Sequence, residues 1–214
     1  MKNIQLKILP HLSQYRDTID EMEMVVNRII QKKQNGEMWF LEYNHTYTAG
    51  SSADSNDIKN QDIEIIQTNR GGKHTYHGPG QRVIYLMMDL HDIFGEKPDL
   101  RQYISMLEDW VILSLDDIGI DASKSEINRG VWCGSNKIVA IGVRLNKWVS
   151  YHGIAINIST DLSHYNDFIP CGIDGGDFGI TSISQELKKD YFMRVFDNVL
   201  IENFNKIFDF NIIY

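Results

Sequence analysis

Two cysteines are the residues of this 214-residue sequence with the most reactive side chains, and they lie in different contexts. Cys171 lies between Pro170 and Gly172, so we expect it in a fixed, accessible turn, where a thiol can ionise and act as a nucleophile. Cys133 follows an apolar dipeptide, which indicates a buried structural thiol. Because the two are far apart and form no Cys-x-x-Cys motif, the sequence excludes a disulfide framework and a thiolate zinc site.

Lys137 is the candidate proton-transfer group, because it begins a predicted hairpin of two apolar strands. Pairing Leu145 with Trp148 across a turn at residues 146–147 puts Lys137 on the same face as Val139, by the two-residue period of a strand. A lysine at the end of an apolar row either extends its ammonium into solvent or is desolvated, which would lower its pKa. The desolvated arrangement suits proton transfer, and the sequence leaves both open.

A glycine-rich segment over residues 70–81 concentrates side chains that bind ligands. Four of the 16 glycines fall here, together with an arginine, a lysine, two histidines, a threonine and a tyrosine. Glycine permits tight turns and a close approach of the backbone to a ligand. The segment matches neither the Gly-Lys-Ser/Thr phosphate loop nor the Gly-x-Gly-x-x-Gly dinucleotide motif. His77 within it is either a base, an orienting donor or a hydrogen-bonded structural residue.

The hydrophobic pattern predicts an α+β protein, in which helices and mostly antiparallel strands alternate without a regular βαβ rhythm. Asp99 is placed to cap the second of three helices, and Gly119 to terminate it. The glycine-rich segment and the polar stretch 45–60 are predicted to be loops. The predicted strands are residues 3–9, 38–43, 63–67, 83–88, 138–145 and 148–158, and the helices run from about 13 to 35, 99 to 118 and 190 to 208.

Composition narrows the class of protein. The 21 Lys and Arg residues against 29 Asp and Glu residues give a formal net charge of −8, which argues against a nucleic-acid-binding protein. With 43% hydrophobic and 23% charged residues the chain is not a disordered one, and its length predicts one domain over residues 1–214. Neither a signal peptide nor a long apolar run is evident. We therefore expect a cytoplasmic monomer that does not bind membranes.

Several motifs in a fixed order resemble the lipoyl(octanoyl) transferase family. The glycine-rich segment reads Arg-Gly-Gly-x-x-Thr-Tyr-His-Gly-Pro-Gly-Gln, followed by an apolar strand, and the later motifs include Ile-Pro-Cys-Gly around Cys171. The matching blocks cover most of residues 36–187, whereas the first and last helices carry little of the resemblance. The blocks are residues 70–81, 130–132, 136–144, 151–157, 169–172 and 179–182.

The resemblance implies a fold, a pair of catalytic residues and a set of substrate contacts. The fold would be that of the lipoate– and biotin–protein ligase catalytic domains, a mixed, mostly antiparallel sheet with flanking helices. Cys171 would be the acyl-accepting nucleophile, and Lys137 would lower its pKa. Cys133 departs from the family pattern, and the inserted-looking residues 174–177 lie where such proteins vary. The implied substrate-binding residues are Arg70, Gly71, Gly72, Lys73, His74, Thr75, Tyr76, His77, Ala140, Ile141, Gly142, Gly153, Ile154 and Ala155.

The activity implied is transfer of an octanoyl group from octanoyl-acyl carrier protein to a lysine of a lipoyl domain. The acceptors would be the lipoyl domains of 2-oxoacid dehydrogenase complexes and the glycine cleavage H protein. Because a thioester already supplies the activation, we expect no ATP, cofactor or metal ion to be needed. An acidic carrier protein would need a local basic patch on this acidic chain, and the candidates for that patch are Arg70, Lys73, Arg82 and Arg144.

Two other functions remain compatible with the sequence. An ATP-dependent lipoate–protein ligase would share the fold and need no nucleophilic cysteine. A non-catalytic module that binds acylated carrier proteins would use Cys171 only structurally. A requirement for ATP distinguishes the first, and activity that survives Cys171→Ala distinguishes the second.

Overall fold

A nine-stranded mixed sheet forms the centre of the protein in the computed structural model, which describes residues 2–125, 128–169 and 178–214. Its strand order is β12-β1-β2-β6-β10-β9-β8-β7, and β11 pairs with β9; β4, β3 and β5 form a separate small sheet. The strands are β1 Lys2–Ser13, β2 Gly36–Tyr43, β3 Thr46–Ala49, β4 Ile65–Gln67, β5 His74–His77, β6 Gln81–Met87, β7 Ser123–Lys124, β8 Val131–Cys133, β9 Asn136–Asn146, β10 Val149–Asn157, β11 Gly179–Ile180 and β12 Phe210–Ile213.

Helices cover both faces of the large sheet. On one face, α3 and α5 bury aromatic and aliphatic side chains against alternate residues of the central strands, including Phe40 and Ile156. On the other face, α1 packs Met22 and Val26 against the opposite residues of the same strands. Because helices cover both faces, the alternate side chains of the central strands are buried on both sides of the sheet. The helices are α1 Tyr15–Ile30, α2 His91–Phe94, α3 Leu100–Asp116, α4 Ile183–Leu187 and α5 Met193–Phe208.

The predicted mixed, mostly antiparallel sheet with flanking helices is confirmed. Antiparallel pairing joins β2, β6, β10, β9, β8 and β7 in succession, while β1 runs parallel to β2 and β12. The predicted cap of α3 is also present, because the Asp99 carboxylate accepts hydrogen bonds from the backbone N–H groups of Arg101 and Gln102. Local signals were therefore sufficient where a single helix end or strand decided the outcome.

The hairpin of β9 and β10 turns at different residues from those predicted. Lys147 and Trp148 form the turn, with φ values of +48° and +65°. Two successive positive φ values are typical of the type I′ turn, whose twist matches that of the strands. Ile141 consequently lies opposite Ile154 rather than His152, a shift of two residues from the predicted register. Lysine and tryptophan carry no turn signal, and β10 is also paired with β6.

Two segments predicted to be loops contain strands, and a last strand was not predicted. β3 lies within the polar stretch 45–60, and β5 lies within the glycine-rich segment. They pair with each other in the small sheet, so each depends on a partner that is distant in sequence. β12 follows α5 and pairs with β1 in parallel. Within the described ranges, none of the helices combines the length and the apolar character needed to cross a membrane.

Candidate active site

A cavity of about 50 Å³ lies between the β9–β10 hairpin, β5, β6 and the start of α1. We call it the central chamber. It is lined by every predicted substrate-binding residue except Gly71 and Tyr76, so the segments 72–77, 140–142 and 153–155 meet there in space. Tyr76 points away from the chamber and stacks on His164, with their ring centroids 4.4 Å apart. Gly153 allows β10 to approach β6 closely here, because a Cβ atom at this position would lie only 2.1 Å from the Ile84 carbonyl oxygen.

Arg70 supplies a buried positive charge to the chamber. Its guanidinium is buried and donates hydrogen bonds to the carbonyl and hydroxyl oxygens of Thr48 on β3, at 3.0 and 2.8 Å, and to the Gly71 carbonyl at 3.0 Å. These bonds fix the glycine-rich segment to the small sheet. The fixed cation acts on the chamber histidines, since burial and then Arg70 lower the pKa of His77 to about 4 and that of His152 to about 3. Both imidazoles are therefore neutral near pH 7.

His77 belongs to a buried network that extends to the backbone of Lys137. Its Nδ1 is 2.7 Å from Gln81 Oε1, and Gln81 Nε2 donates to Asn157 Oδ1 at 3.0 Å. Asn157 Nδ2 donates to the Thr181 carbonyl at 3.1 Å, and the Thr181 N–H donates to the Lys137 carbonyl at 2.9 Å. Because the amide of Gln81 donates through its nitrogen, its oxygen accepts from His77. The hydrogen-bonded structural interpretation of His77 fits this geometry better than a free base.

A β-bulge in β9 places Lys137 on the face of the sheet that carries the chamber. Lys137 pairs with Trp132, whereas Val139 pairs with Val131, so β9 contains one extra residue between the two pairs. Val131 and Val139 belong to the core beneath α3 and α5, and Trp132 lies on the opposite face. The prediction that Lys137 shares a face with Val139 is therefore wrong. The bulge reverses the two-residue alternation and turns Lys137 to the side of Ala140.

The Lys137 side chain is buried rather than extended into solvent, with 4% of its surface exposed. Its ammonium lies 5.0 Å from the centroid of the Trp132 ring, a cation–π arrangement. Gly130 makes room for it, because a Cβ atom there would lie 3.1 Å from Lys137 Cε and 2.3 Å from the Val139 carbonyl oxygen. Trp132 is held in turn by a hydrogen bond from its Nε1 to the Asn128 carbonyl at 3.0 Å.

The two cysteines remain distinct in the structure. Cys133 is buried on the core face of β8, and burial raises the pKa of its thiol to about 12. Such a thiol is a poor nucleophile. Cys171 lies outside the described residues. The chain beyond it enters the sheet beside the candidate lysine, because Ile180 of β11 pairs with Lys137. The exposed ring of Phe178, two residues earlier, contacts Trp132 edge-on at a centroid distance of 5.8 Å.

The basic patch expected from four residues does not form as predicted. Arg70 and Arg82 are buried, and Arg82 makes a two-bond ion pair with Asp197 of α5, at 2.8 Å for each bond. Lys73 pairs with Asp57 at 3.2 Å, and Arg144 is exposed. Arg70 and Arg82 are therefore unavailable for a surface patch. Each binds an acceptor inside the protein, and the sequence pattern could not reveal those contacts.

Four chamber residues were missed by the sequence analysis: Tyr15, Val83, Tyr85 and His152. Val83 and Tyr85 alternate along the chamber face of β6, which the predicted strand could have indicated. Tyr15 begins α1, far from the other segments in sequence. His152 precedes the predicted segment 153–155 and carried no separate signal.

Comparisons with known proteins identify the family and agree with the fold. The sequence model of the lipoyl protein ligase A/B catalytic domain matches residues 14–205. The octanoyltransferase of Anaplasma phagocytophilum (strain HZ) is 42% identical over 211 residues, 96% of this chain and 99% of that protein. The bi-partite lipoate protein ligase of Thermoplasma acidophilum, solved with its E2 lipoyl domain in an archaeal lipoylation system, has a similar fold, with a TM-score of 0.69, 16% identity, and coverage of 100% of this chain and 87% of that one. Biotin protein ligase from Aquifex aeolicus, with biotin and ATP, has a TM-score of 0.58, 14% identity, and coverage of 97% and 70%.

Proposed function

We propose a function that starts from the family: the chain belongs to the octanoyltransferases of the lipoyl protein ligase A/B catalytic-domain family. In this proposal it carries an octanoyl group from acyl carrier protein to a lipoyl domain through a thioester on Cys171. Family membership makes the chain an acyltransferase of protein lipoylation. The donor, the covalent intermediate and the residues that form it are our proposal. The acceptors would be the lipoyl domains of 2-oxoacid dehydrogenase complexes and the glycine cleavage H protein.

One observation carries the proposal, namely the buried position of Lys137 on the chamber face of the sheet. The bulge in β9 turns its side chain to this face, and β11 returns the chain from Cys171 alongside it. A buried amine on the strand with which β11 pairs, soon after Cys171 in sequence, supports an acid–base pair. The high pKa of Cys133 leaves Cys171 as the thiol suited to nucleophilic attack.

The reaction would proceed in two balanced acyl transfers. Cys171 sulfur attacks the carbonyl carbon of the carrier thioester; the new carbon–sulfur bond forms as the bond to the carrier sulfur breaks, and the thiol proton passes through Lys137 to the carrier thiolate. The acceptor lysine amine then attacks the same carbon, the bond to Cys171 breaks, and Lys137 returns the amine proton to the cysteine. An amide replaces a thioester, so no further source of energy is required.

The central chamber would hold the octanoyl chain. Val83, Ala140, Ile154 and Ala155 supply apolar surface, and the neutral state of His77 adds no second charge beside Arg70. Lys137 lies near the start of β9, and the acyl carbonyl would be held on this side of the chamber. The alkyl chain would run from there towards Gly142 and Gly153.

Mass spectrometry after mixing with octanoyl-acyl carrier protein tests the proposal. We expect one octanoyl group on Cys171, removable by hydroxylamine, and none on Cys133. Cys171→Ala should abolish both the label and transfer to a lipoyl domain. Cys133→Ala is the matched control, which should keep both. A label on Cys133, or full activity of Cys171→Ala, would overturn the assignment.

A nucleotide-free arm of this experiment distinguishes the ATP-dependent ligase. Transfer should continue after apyrase treatment in the presence of EDTA, because the donor thioester is already activated. Strict dependence on ATP would favour the ligase, whose fold this chain shares.

A further inference from the structure

His152 is held in an unusual backbone conformation inside a strand. Its φ is +57°, in the left-handed region, although it lies in the middle of β10 and is 2% exposed. This conformation costs a residue with a Cβ atom about 1–2 kcal/mol, whereas glycine adopts it freely. Strained positions of this kind persist where the surrounding structure fixes them, and they are common at ligand sites. The conformation therefore marks His152 as a candidate ligand-site residue.

The imidazole has a fixed orientation and a fixed tautomer. Its Nε2 is 2.9 Å from Asn69 Oδ1, and Asn69 Nδ2 donates to the Glu23 carboxylate at 3.4 Å. Because the amide nitrogen of Asn69 faces a carboxylate, its oxygen accepts from His152, and Nε2 carries the proton. The ring also stacks on Tyr151 at a centroid distance of 5.1 Å and meets the edge of Tyr85 at 5.6 Å. The side chain is consequently a rigid body rather than a mobile one.

His152 and Tyr15 separate two cavities. Among the described residues they are the two that line both the central chamber and a neighbouring cavity of about 530 Å³, which we call the outer groove. The outer groove is half polar and half apolar: Asp20, Glu23 and Gln67 line it together with Ile19 and Ile66. Removing the imidazole would join the small chamber to a space about ten times larger.

The position of His152 along the hairpin is as important as its rigidity. It lies opposite Val143, at the end of the chamber remote from Lys137. Between them, Ala155 pairs with Ala140 and Gly153 pairs with Gly142, which gives a narrow floor of small residues. An acyl chain whose carbonyl lies at the Ala140 end of this floor, on the Lys137 side, would run towards the imidazole. The three residue steps from Ala140 to Val143 span about 10 Å of strand, which is about the length of an extended eight-carbon chain.

We propose that His152, supported by Tyr15, closes the central chamber and determines the length of the acyl chain that the enzyme transfers. The inference rests on the proposed function, because it takes the chamber as the acyl site. A chain of eight carbons or fewer ends before the imidazole. A longer one must displace a rigid side chain before it can reach the outer groove, where two carboxylates and open solvent leave its methylene groups less completely buried than in the chamber.

Binding of free fatty acids to the wild-type protein is the first test, because it needs no catalysis. Calorimetry with hexanoate, octanoate, decanoate and dodecanoate should show affinity rising roughly fourfold for each methylene group up to octanoate. Beyond octanoate the affinity should stop rising or fall. A continued rise to dodecanoate would show that the chamber is open at this end and would overturn the proposal.

Two substitutions of His152 test the residue itself. His152→Gly removes the imidazole and relieves the backbone strain; His152→Asn leaves a smaller side chain that tolerates positive φ. Both should move the affinity maximum to decanoate or dodecanoate. They should also raise the rate of dodecanoyl transfer relative to octanoyl transfer at least about tenfold. Lys147→Gly is the matched control, since it removes a positive-φ residue in the exposed hairpin turn and should leave both ratios unchanged.

The outcomes separate this inference from the proposed function. A shifted binding maximum without any octanoyl transfer would retain the chain-length role of His152 and reject the transferase mechanism. Normal octanoyl transfer with an unchanged chain-length preference in a folded His152→Gly or His152→Asn protein would retain the transferase mechanism and reject the chain-length role of His152.

Discussion

Lys137 shows how a single extra residue changes the chemistry available at a site. Without the bulge, its ammonium would lie under α3 and α5, among mainly aliphatic and aromatic side chains. With the bulge it lies over the Trp132 ring, on the side of the central chamber. A ring face stabilises a buried cation by about 0.5–2 kcal/mol. Trp132 is therefore a positioning residue for Lys137.

Replacing Trp132 should weaken catalysis by acting on Lys137. Trp132→Leu removes the ring face, so the charged form of Lys137 is less stable and the Cys171 thiolate loses part of its neighbouring charge. We expect kcat to fall about tenfold and the midpoint of Cys171 alkylation against pH to move upwards. Trp132→Phe keeps a ring and should preserve most of both properties. Lys137→Met should lower kcat more than Trp132→Leu does, and its loss is the reference for the effect of Trp132.

Trp148 provides the control for this substitution, because it is an exposed tryptophan in the hairpin turn. Trp148→Leu should leave the alkylation midpoint unchanged. An unchanged midpoint in a folded Trp132→Leu protein would mean that the ring does not act on the Cys171–Lys137 pair.

At the scale of elements, an ion pair fixes α5 to the strand that forms one side of the central chamber. Arg82 and Asp197 are both nearly fully buried, and the guanidinium also lies 5.9 Å from the Phe40 ring. Arg82 is followed in β6 by Val83, which lines the chamber. The pair therefore connects the packing of the last long helix to the position of a chamber strand.

Breaking this ion pair should cost more than replacing it. Arg82→Met leaves the Asp197 carboxylate buried without its partner, and we expect a loss of about 3–5 kcal/mol in the free energy of unfolding measured with urea. The double variant Arg82→Met, Asp197→Leu removes both charges and should recover most of that loss. If the double variant is as unstable as the single one, the contribution of Arg82 comes from its packing on Phe40 rather than from the ion pair.

At the scale of the whole molecule, the buried histidines couple stability to pH. The pKa values of His77 and His152 in the folded protein are about 4 and about 3, well below the ordinary value near 6.5. The unfolded chain therefore binds these protons at a higher pH than the folded chain does. Stability must fall as the pH decreases from about 6.5 towards 4, before most carboxylates titrate.

His77→Gln should reduce that pH dependence. We expect the free energy of unfolding of the wild type to decrease between pH 7 and pH 5, with each buried histidine contributing roughly 1–2 kcal/mol. The variant should lose up to about half of this slope, because His152 and the buried His74, whose pKa is also lowered by burial, remain. His11→Gln, at an exposed histidine of β1, is the control and should keep the wild-type slope. Equal slopes in all three proteins would exclude the buried imidazoles as the cause.

The sequence by itself determined the features that depend on neighbours along the chain. The Asp99 cap and the apolar strand β6 were evident from local pattern, and the hydrophobic pattern predicted the α+β class. The order of the motifs along the chain carried the family resemblance, and that resemblance implied the segments 70–77, 140–142 and 153–155, which supply most of the chamber lining.

The tertiary structure decided the features that depend on a distant partner. The face of Lys137 is set by the pairing of β9 with β8, and a bulge there cannot be recognised from a two-residue period. The burial of Arg82 depends on Asp197, which lies 115 residues away. His152 lines the chamber together with Tyr15, which α1 contributes from a distant part of the sequence. In each case the deciding contact joins segments that local propensity treats as independent, so only packing could select it.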